Sequence, residues 1–330
     1  MGEIKVAFLT GATGFLGRHL LRELIHKGFA VRALVRDVSR VQPLDQVEWL
    51  EGCLEDPKSV EKGIRGAQYV FHTAALNEFW QRDKRRFYEV NVQGTKNVLD
   101  SCLKCRPQRV VYTSSLATLG SAPEGKFIDE QTSFNLQSVK DHYAESKFQA
   151  ERLAQNYAQK GVPVVILNPT AVIGTDDTKP TPIGKIIQNA IRGKLPFYLP
   201  TRINFVDVRD VARMHVVAAE RGVAGERYLI GGANLRFDEF LKFVSKYSGK
   251  PAPRHAFPIP LVKLLSYGAV GMAYLSGRPP LFSPNSIRMA EKNFFCDCRK
   301  AKDALGMVPA PIEQTIKETV EWHLRRSKSH

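Results

Sequence analysis

The run Thr10-Gly11-Ala12-Thr13-Gly14-Phe15-Leu16-Gly17 constrains this chain more than any other stretch. The apolar residues Val6-Ala7-Phe8-Leu9 stand directly before it. Directly after it, Leu20, Leu21, Leu24 and Ile25 recur at helical spacing among Arg18, Arg22, Glu23 and Lys27. The pattern predicts a buried strand, a glycine turn and an amphipathic helix that stops at Lys27-Gly28. Glycine permits the tight turn and lets a pyrophosphate come against the main chain. The helix N-terminus then offers unpaired N–H groups and the positive end of its dipole.

The same rhythm continues. Strands are expected at 30–35, 47–52, 68–71, 109–113 and 164–167, with long helices at 84–105 and 143–160. This is an α/β chain, and at 330 residues it holds one large domain or two packed lobes. A hydrophobic content of 43% with 25% charged residues excludes a disordered or collagenous chain. The net charge of +15 raises the question of nucleic acid, but the basic residues are scattered among acidic ones and no nucleic-acid motif is present. Excess charge also suits a phosphorylated cofactor or an anionic substrate.

Cys102 and Cys105 form one close pair and Cys296 and Cys298 another, the latter in an expected strand. Their order fits no zinc module, so no metal is expected and the thiols are read as reduced packing residues. No signal peptide is visible, which with the reduced thiols gives a cytoplasmic expectation. The apolar stretch 257–275 is interrupted by Lys263 and glycines and reads as helices of a packed lobe rather than a membrane span. The tail Arg325-Arg326-Ser327-Lys328 reads as a solvated end, with weak peripheral membrane contact as the alternative.

Several further motifs stand at strand ends. Arg36-Asp37 follows the second strand, with Arg40 close behind. An arginine there can grip a 2′-phosphate, whereas Asp37 could face a ribose. Gly52-Cys53-Leu54-Glu55-Asp56 ends the third strand. His72-Thr73-Ala74-Ala75 ends the fourth, and His72 reads as a packed histidine. Ser114-Ser115 ends the fifth, after Thr113. Asn168-Pro169-Thr170-Ala171-Val172 ends the sixth. Tyr143 and Lys147 are one turn apart on a helix and form the chain's only Y-x-x-x-K pair.

Together these stretches resemble the extended short-chain dehydrogenase/reductases, the NAD-dependent epimerase/dehydratase family. The carriers are G-x-x-G-x-x-G at Gly11, Gly14 and Gly17, H-x-A-A at His72, N-V-x-G-T-x-N-V-L from Asn91, the serine pair with Tyr143 and Lys147, and the segment from Asn168. The resemblance covers nearly the whole chain. Residues 113–120, the loop after Asn168 and 225–232 look most like the hopanoid-associated sugar epimerase branch, near the dihydroflavonol 4-reductases. Two departures stand out: Cys53 replaces the family's adenine-reading Asp, and Asn168 replaces a common arginine.

The resemblance implies a Rossmann-type, doubly wound parallel sheet over 1–170, to which a segment at about 203–231 returns, and a smaller substrate lobe within 171–330. It implies catalysis by Ser115, Tyr143 and Lys147, with Ser114 as the alternative serine. It implies cofactor contacts from Gly11, Thr13, Gly14, Phe15, Leu16, Gly17, Arg36, Arg40, Leu54, Thr73, Ala74, Ala75, Asn91, Thr113, Tyr143, Lys147, Pro169 and Val172. Asn91 is expected to tie a central strand to the catalytic helix. Lys147 would lower the Tyr143 pKa towards neutrality, and Tyr143 would then exchange a proton with a ketone or secondary alcohol. Arg36 points to NADP(H) rather than NAD(H). The alternatives are a sugar-nucleotide epimerase with a retained NAD and a non-catalytic NADP-binding sensor. The expected assembly is a homodimer, with a small-molecule substrate as the other partner.

Overall fold

The computed structural model describes residues 5–78, 81–195, 197–253, 255–256, 258–276 and 283–328. The N-terminal apolar run forms β1 (Val6–Thr10), and the chain turns through Gly11 at φ +79° into α1 (Phe15–His26). A Cβ on Gly17 would sit 1.9 Å from the Gly11 carbonyl oxygen, so helix and turn close on each other only as glycines. α1 buries Leu20, Leu21 and Leu24 and stops at Lys27, with Gly28 left-handed at φ +77°.

Alternation then carries the chain through β2 (Ala30–Val35), β3 (Val47–Glu51), α2 (Pro57–Ile64) and β4 (Tyr69–His72). Asp56 caps α2, accepting from the N–H groups of Lys58 and Ser59. The helix expected at 84–105 is α3 (Arg85–Tyr88), a π turn (Glu89–Gln93) and α4 (Gly94–Cys105) in one run. Next come β5 (Arg109–Thr113), α5 (His142–Gln159) and β6 (Val164–Pro169), and Asp141 caps α5 through the Ala144 N–H at 2.8 Å.

Beyond β6 stand β7 (Ala171–Ile173), α6 (Pro182–Ile191), β8 (Arg202–Asp207), α7 (Val208–Arg221), β9 (Arg227–Ile230), β10 (Ala233–Arg236) and α8 (Phe237–Ser248). The chain ends through α9 (Ile259–Ser276), α10 (Pro284–Ala290), β11 (Asn293–Phe294), α11 (Arg299–Leu305) and α12 (Ile312–Lys328).

The large sheet has the order β3-β2-β1-β4-β5-β6-β9, with every pair parallel. Strand order reverses between β1 and β4, and this creates the crevice at the strands' carboxyl ends where ligands bind in such sheets. Alternate residues of β1 feed opposite faces: Ala7 and Leu9 pack with α1, α7 and α11, and Phe8 packs with α2, α4 and α5. A small sheet, β10-β8-β11 with β7 beside β8, anchors the second lobe. There Phe205 stacks on Phe240 at 4.4 Å.

One boundary differs from the sequence expectation. The return expected at about 203–231 starts at α7, because β8 is the centre of the small sheet; β9 then completes the large one. Ala301, Leu305 and Met307 join the first core. Cys296 and Cys298 lie past the end of β11. Cys296 makes a single bridge to Ile128, and both thiols pack among Leu116, Leu119 and Leu229. Burial pushes both thiols up, Cys298 to about 12. Among the described residues no helix is long and apolar enough to cross a membrane.

Candidate active site

A cavity of about 570 Å³ opens at the carboxyl ends of β1, β4, β5 and β6, between the large sheet and the second lobe. Gly11, Gly14, Phe15, Leu16 and Gly17 form one wall, with Thr73, Ala75, Thr113, Pro169 and Val172 beside them. Gly14 caps α1 without a side-chain hydrogen bond, and no acidic residue stands in that helix's first turn. Its N–H groups are therefore free for an anion, and the residues fit a dinucleotide pyrophosphate.

The loop after β4 is held by a relay. Thr95 Oγ1 donates to the Asn91 carbonyl at 2.6 Å, so it accepts from His72 Nε2 at 3.0 Å. That fixes the tautomer: His72 Nδ1 accepts from Thr10 Oγ1 at 2.7 Å, and Thr10 Oγ1 accepts from the Ala74 N–H at 3.2 Å. Burial holds the His72 pKa down to about 3, with the Lys147 charge adding to it. His72 is thus the packed, neutral histidine that the sequence suggested. Asn91 reaches Leu76 through both its oxygen (2.7 Å) and its nitrogen (3.2 Å), and its amide donates to Ser146 Oγ at 3.0 Å. It joins the β4 loop to α5 and does not line the cavity.

Ser115, Tyr143 and Lys147 converge on the cavity where the glycine wall meets the second lobe. Ser115 follows β5, and its Oγ accepts from the Ala117 N–H at 3.2 Å. Tyr143 and Lys147 come from the first turns of α5. Burial raises the Tyr143 pKa, a hydrogen bond from Ser115 lowers it and the Asp141 charge raises it. The Lys147 ammonium is buried and donates to the Thr113 carbonyl at 2.7 Å and to Tyr112 Oη at 3.0 Å. Burial lowers it to about 7 against the opposing pull of Glu151. The expectation that Lys147 brings the phenol towards neutrality is not met in the protein alone. The ammonium is spent on Tyr112 and Thr113, and desolvation wins at Tyr143.

Ser114 turns inward, where its hydroxyl donates to Glu151. Glu151 is 2% exposed and also accepts from Thr118 Oγ1 and Asn168 Nδ2, each at 2.6 Å, and from Arg227 Nη1 at 3.0 Å. Both serines line the cavity, but the Ser114 hydroxyl is engaged by Glu151. Sequence reasoning did not single out Glu151, Arg227 or Asp141. The Asn168 departure was the one available signal, and it now has a partner: a charge from β9 stands against Glu151. Thr113 Oγ1 donates at 2.7 Å to His215 Nε2, whose Nδ1 donates to the Val211 carbonyl at 2.8 Å.

Arg36, Arg40, Leu54, Thr13 and Ala74 lie outside the cavity wall. Thr13 is exposed in the glycine turn, and Ala74 packs on the face of the large sheet that α2, α4 and α5 cover. The Leu54 side chain is buried, and its carbonyl accepts from Asn97 Nδ2 at 2.8 Å. Asp37 accepts from Ser39 N–H at 3.0 Å and from Ser39 Oγ at 2.6 Å, and it pairs with Arg40 Nε at 2.9 Å. Arg36 is exposed at the end of β2, with no ion pair among the described residues.

A doubly wound sheet with a glycine turn at its switch point and a Ser-Tyr-Lys cluster at the neighbouring strand ends defines the extended short-chain dehydrogenase/reductase class. Residues 7–231 match the model of the NAD dependent epimerase/dehydratase family, and the chain belongs to that family. It is 36% identical to a Synechocystis sp. protein provisionally named dihydroflavonol 4-reductase, over 96% of this chain and 93% of that one. It is 31% identical to sterol demethylase protein B of Methylococcus capsulatus, over 96% and 98%. The crystal structure of gox2253 superposes with a TM-score of 0.86 at 31% identity, over 98% of this chain and 99% of that one. The chain is thus an NAD(P)-dependent oxidoreductase or epimerase, an enzyme of CH–OH and C=O groups.

Proposed function

We propose that this chain reduces a ketone, or oxidises the matching secondary alcohol, with NADP(H). The observation that carries the reading is the convergence of Ser115, Tyr143 and Lys147 on one cavity opposite the glycine turn. The glycine turn and the α1 N-terminus would hold the pyrophosphate, while Thr73, Ala75, Pro169 and Val172 would line the nicotinamide end. When bound, the nicotinamide supplies or accepts the hydride at the substrate carbon.

The protein's own work is at the oxygen. Ser115 hydrogen-bonds the reacting oxygen and fixes its position. Tyr143 gives that oxygen its proton in reduction and takes it back in oxidation. Lys147, anchored on the Thr113 carbonyl, places its positive charge beneath the site and stabilises tyrosinate once an oxidised ring adds its own charge. Asn91 positions α5 through Ser146 rather than touching a ligand.

Arg36 favours NADP(H), because among the described residues it has no ion pair at the β2 end while Asp37, the residue that could have faced a ribose, is engaged by Ser39 and Arg40. Arg40 then supports the phosphate site only by releasing Asp37. The assembly we infer is a homodimer through α4 and α5, where Leu103 is 42% exposed. Five free cysteines accord with a reducing cytoplasm. The test is NADPH oxidation by the purified protein with a panel of ketones and sugar nucleotides, beside analysis of the nucleotide released on denaturation. Turnover of a ketone with exchangeable NADPH supports the reading. A retained NAD would identify an epimerase cycle, and NADPH binding without any turnover would identify a sensor.

A further inference from the structure

We propose that the substrate of this site is an apolar alcohol or ketone, not a sugar nucleotide. The inference rests on the hydride-transfer reading above and deepens it. The second lobe's share of the cavity wall includes Ile183, Ile186, Phe197, Phe237, Met289 and Phe294, drawn from three separate stretches, against fewer polar side chains such as Thr181 and Ser286. Burying such side chains around a ligand is worth about 25 cal/mol per Å² of apolar surface, which favours an apolar guest.

A nucleoside diphosphate needs the opposite. Its two phosphates call for arginine, lysine or open helix N-termini. Among the described residues the cavity wall holds no arginine, and Lys147 is its one lysine, already donating to Thr113 and Tyr112. The other charged residues of the wall, among those described, are acidic: Glu78 and Asp141.

The helix starts in the second lobe's share of the wall carry their own acceptors. At α6 the Asp177 carboxylate, 3% exposed, accepts from the Thr181 N–H at 2.9 Å and from Thr181 Oγ1 at 2.8 Å, and Thr181 Oγ1 accepts from Gly184 N–H at 3.1 Å. At α8 Glu239 accepts from the Arg236 N–H at 2.8 Å. At α10 Ser283 Oγ accepts from the Ser286 N–H at 3.1 Å. At each of these starts an N–H group that could meet a phosphate is already engaged by a side chain.

The experiment titrates protein loaded with NADP⁺ against trans-1-decalone, a rigid apolar ketone, and against UDP, by calorimetry. NADP⁺ and a ketone are both oxidised, so the ternary complex cannot react and binding is read alone. Decalone is expected to bind and UDP is not. Ile186→Arg, which places an unpaired cation in the wall, is expected to weaken decalone about tenfold or more while NADP⁺ affinity stays unchanged. UDP binding tighter than decalone, no decalone binding, or decalone binding indifferent to Ile186→Arg would each overturn the proposal. Failure of NADP⁺ itself to bind would instead overturn the hydride-transfer reading on which it rests.

Discussion

Arg227 Nη1 lies 3.0 Å from Glu151 Oε1, a charge pair between β9 and α5 whose carboxylate also accepts from the Ser114 hydroxyl. Glu151 is 2% exposed at its side chain and Arg227 23%, so the pair is shielded enough for removal of one partner to matter. Breaking a buried pair typically costs about 3–5 kcal/mol, because the remaining charge is stranded. Arg227→Met should therefore lower stability by about 3 kcal/mol, while Arg227→Met with Glu151→Gln should recover a large share of it. Urea unfolding of the two single variants and the double variant measures the coupling. Additive losses would show that Asn168, Ser114 and Thr118 already satisfy Glu151.

Arg36→Ala should weaken NADP(H) by roughly ten- to a hundredfold and leave NAD(H) nearly unchanged, since a charged hydrogen bond to a phosphate is worth about 1.5–3 kcal/mol. Arg40→Ala should do less, because Arg40 is paired with Asp37 in the protein alone. Equal loss for both cofactors would remove Arg36 from the 2′-phosphate site. The readout is cofactor affinity by calorimetry.

The buried histidines predict an acid limb. Burial lowers His72 from 6.5 to about 3 and His215 from 6.5 to about 4. As pH falls below 6.5 the unfolded chain takes up these protons before the folded protein does. The stabilisation is therefore complete above pH 6.5 and is lost as pH falls from 6.5 to about 4 for His215 and to about 3 for His72, at up to about 1.4 kcal/mol per pH unit for each ring. The urea midpoint should decline across this window, and His72→Gln should flatten the decline. A midpoint unchanged between pH 6.5 and 4 would contradict the neutral, relayed His72.

A homodimer should appear in light scattering at micromolar protein, and Leu103→Glu on α4 should shift it towards monomer. The exposed face of α5 carries Glu145, Gln149, Arg152 and Asn156, so such a contact is polar around Leu103 and its affinity should fall with salt. A monomer mass in the parent would refute the α4–α5 interface.

What the sequence revealed was local. The β1 turn and α1, the strand end at Thr113, and the Tyr143–Lys147 face follow from periodicity and spacing within one or two elements. What stayed hidden depends on contacts distant in the chain. β8 has a strand's pattern, but nothing local says which sheet takes it. The Glu151–Arg227 pair joins positions in different elements, and only the missing arginine at Asn168 hinted at it. The apolar wall is assembled from residues near 183–199, 237 and 286–294, which no single window contains. The Tyr143 shift went the other way because spacing reports that Lys147 is near, not that Thr113 and Tyr112 hold its ammonium.

The catalytic assignment is tested most directly by Tyr143→Phe, which keeps the ring and removes the hydroxyl. Turnover of a ketone that the parent reduces should fall by about two to four orders of magnitude, the usual worth of a positioned acid or base, with NADP(H) affinity and the unfolding midpoint preserved. Ser115→Ala should likewise spare cofactor affinity, whereas Lys147→Ala should lower both turnover and affinity. A Tyr143→Phe protein that retains most of the parent's turnover would contradict the account.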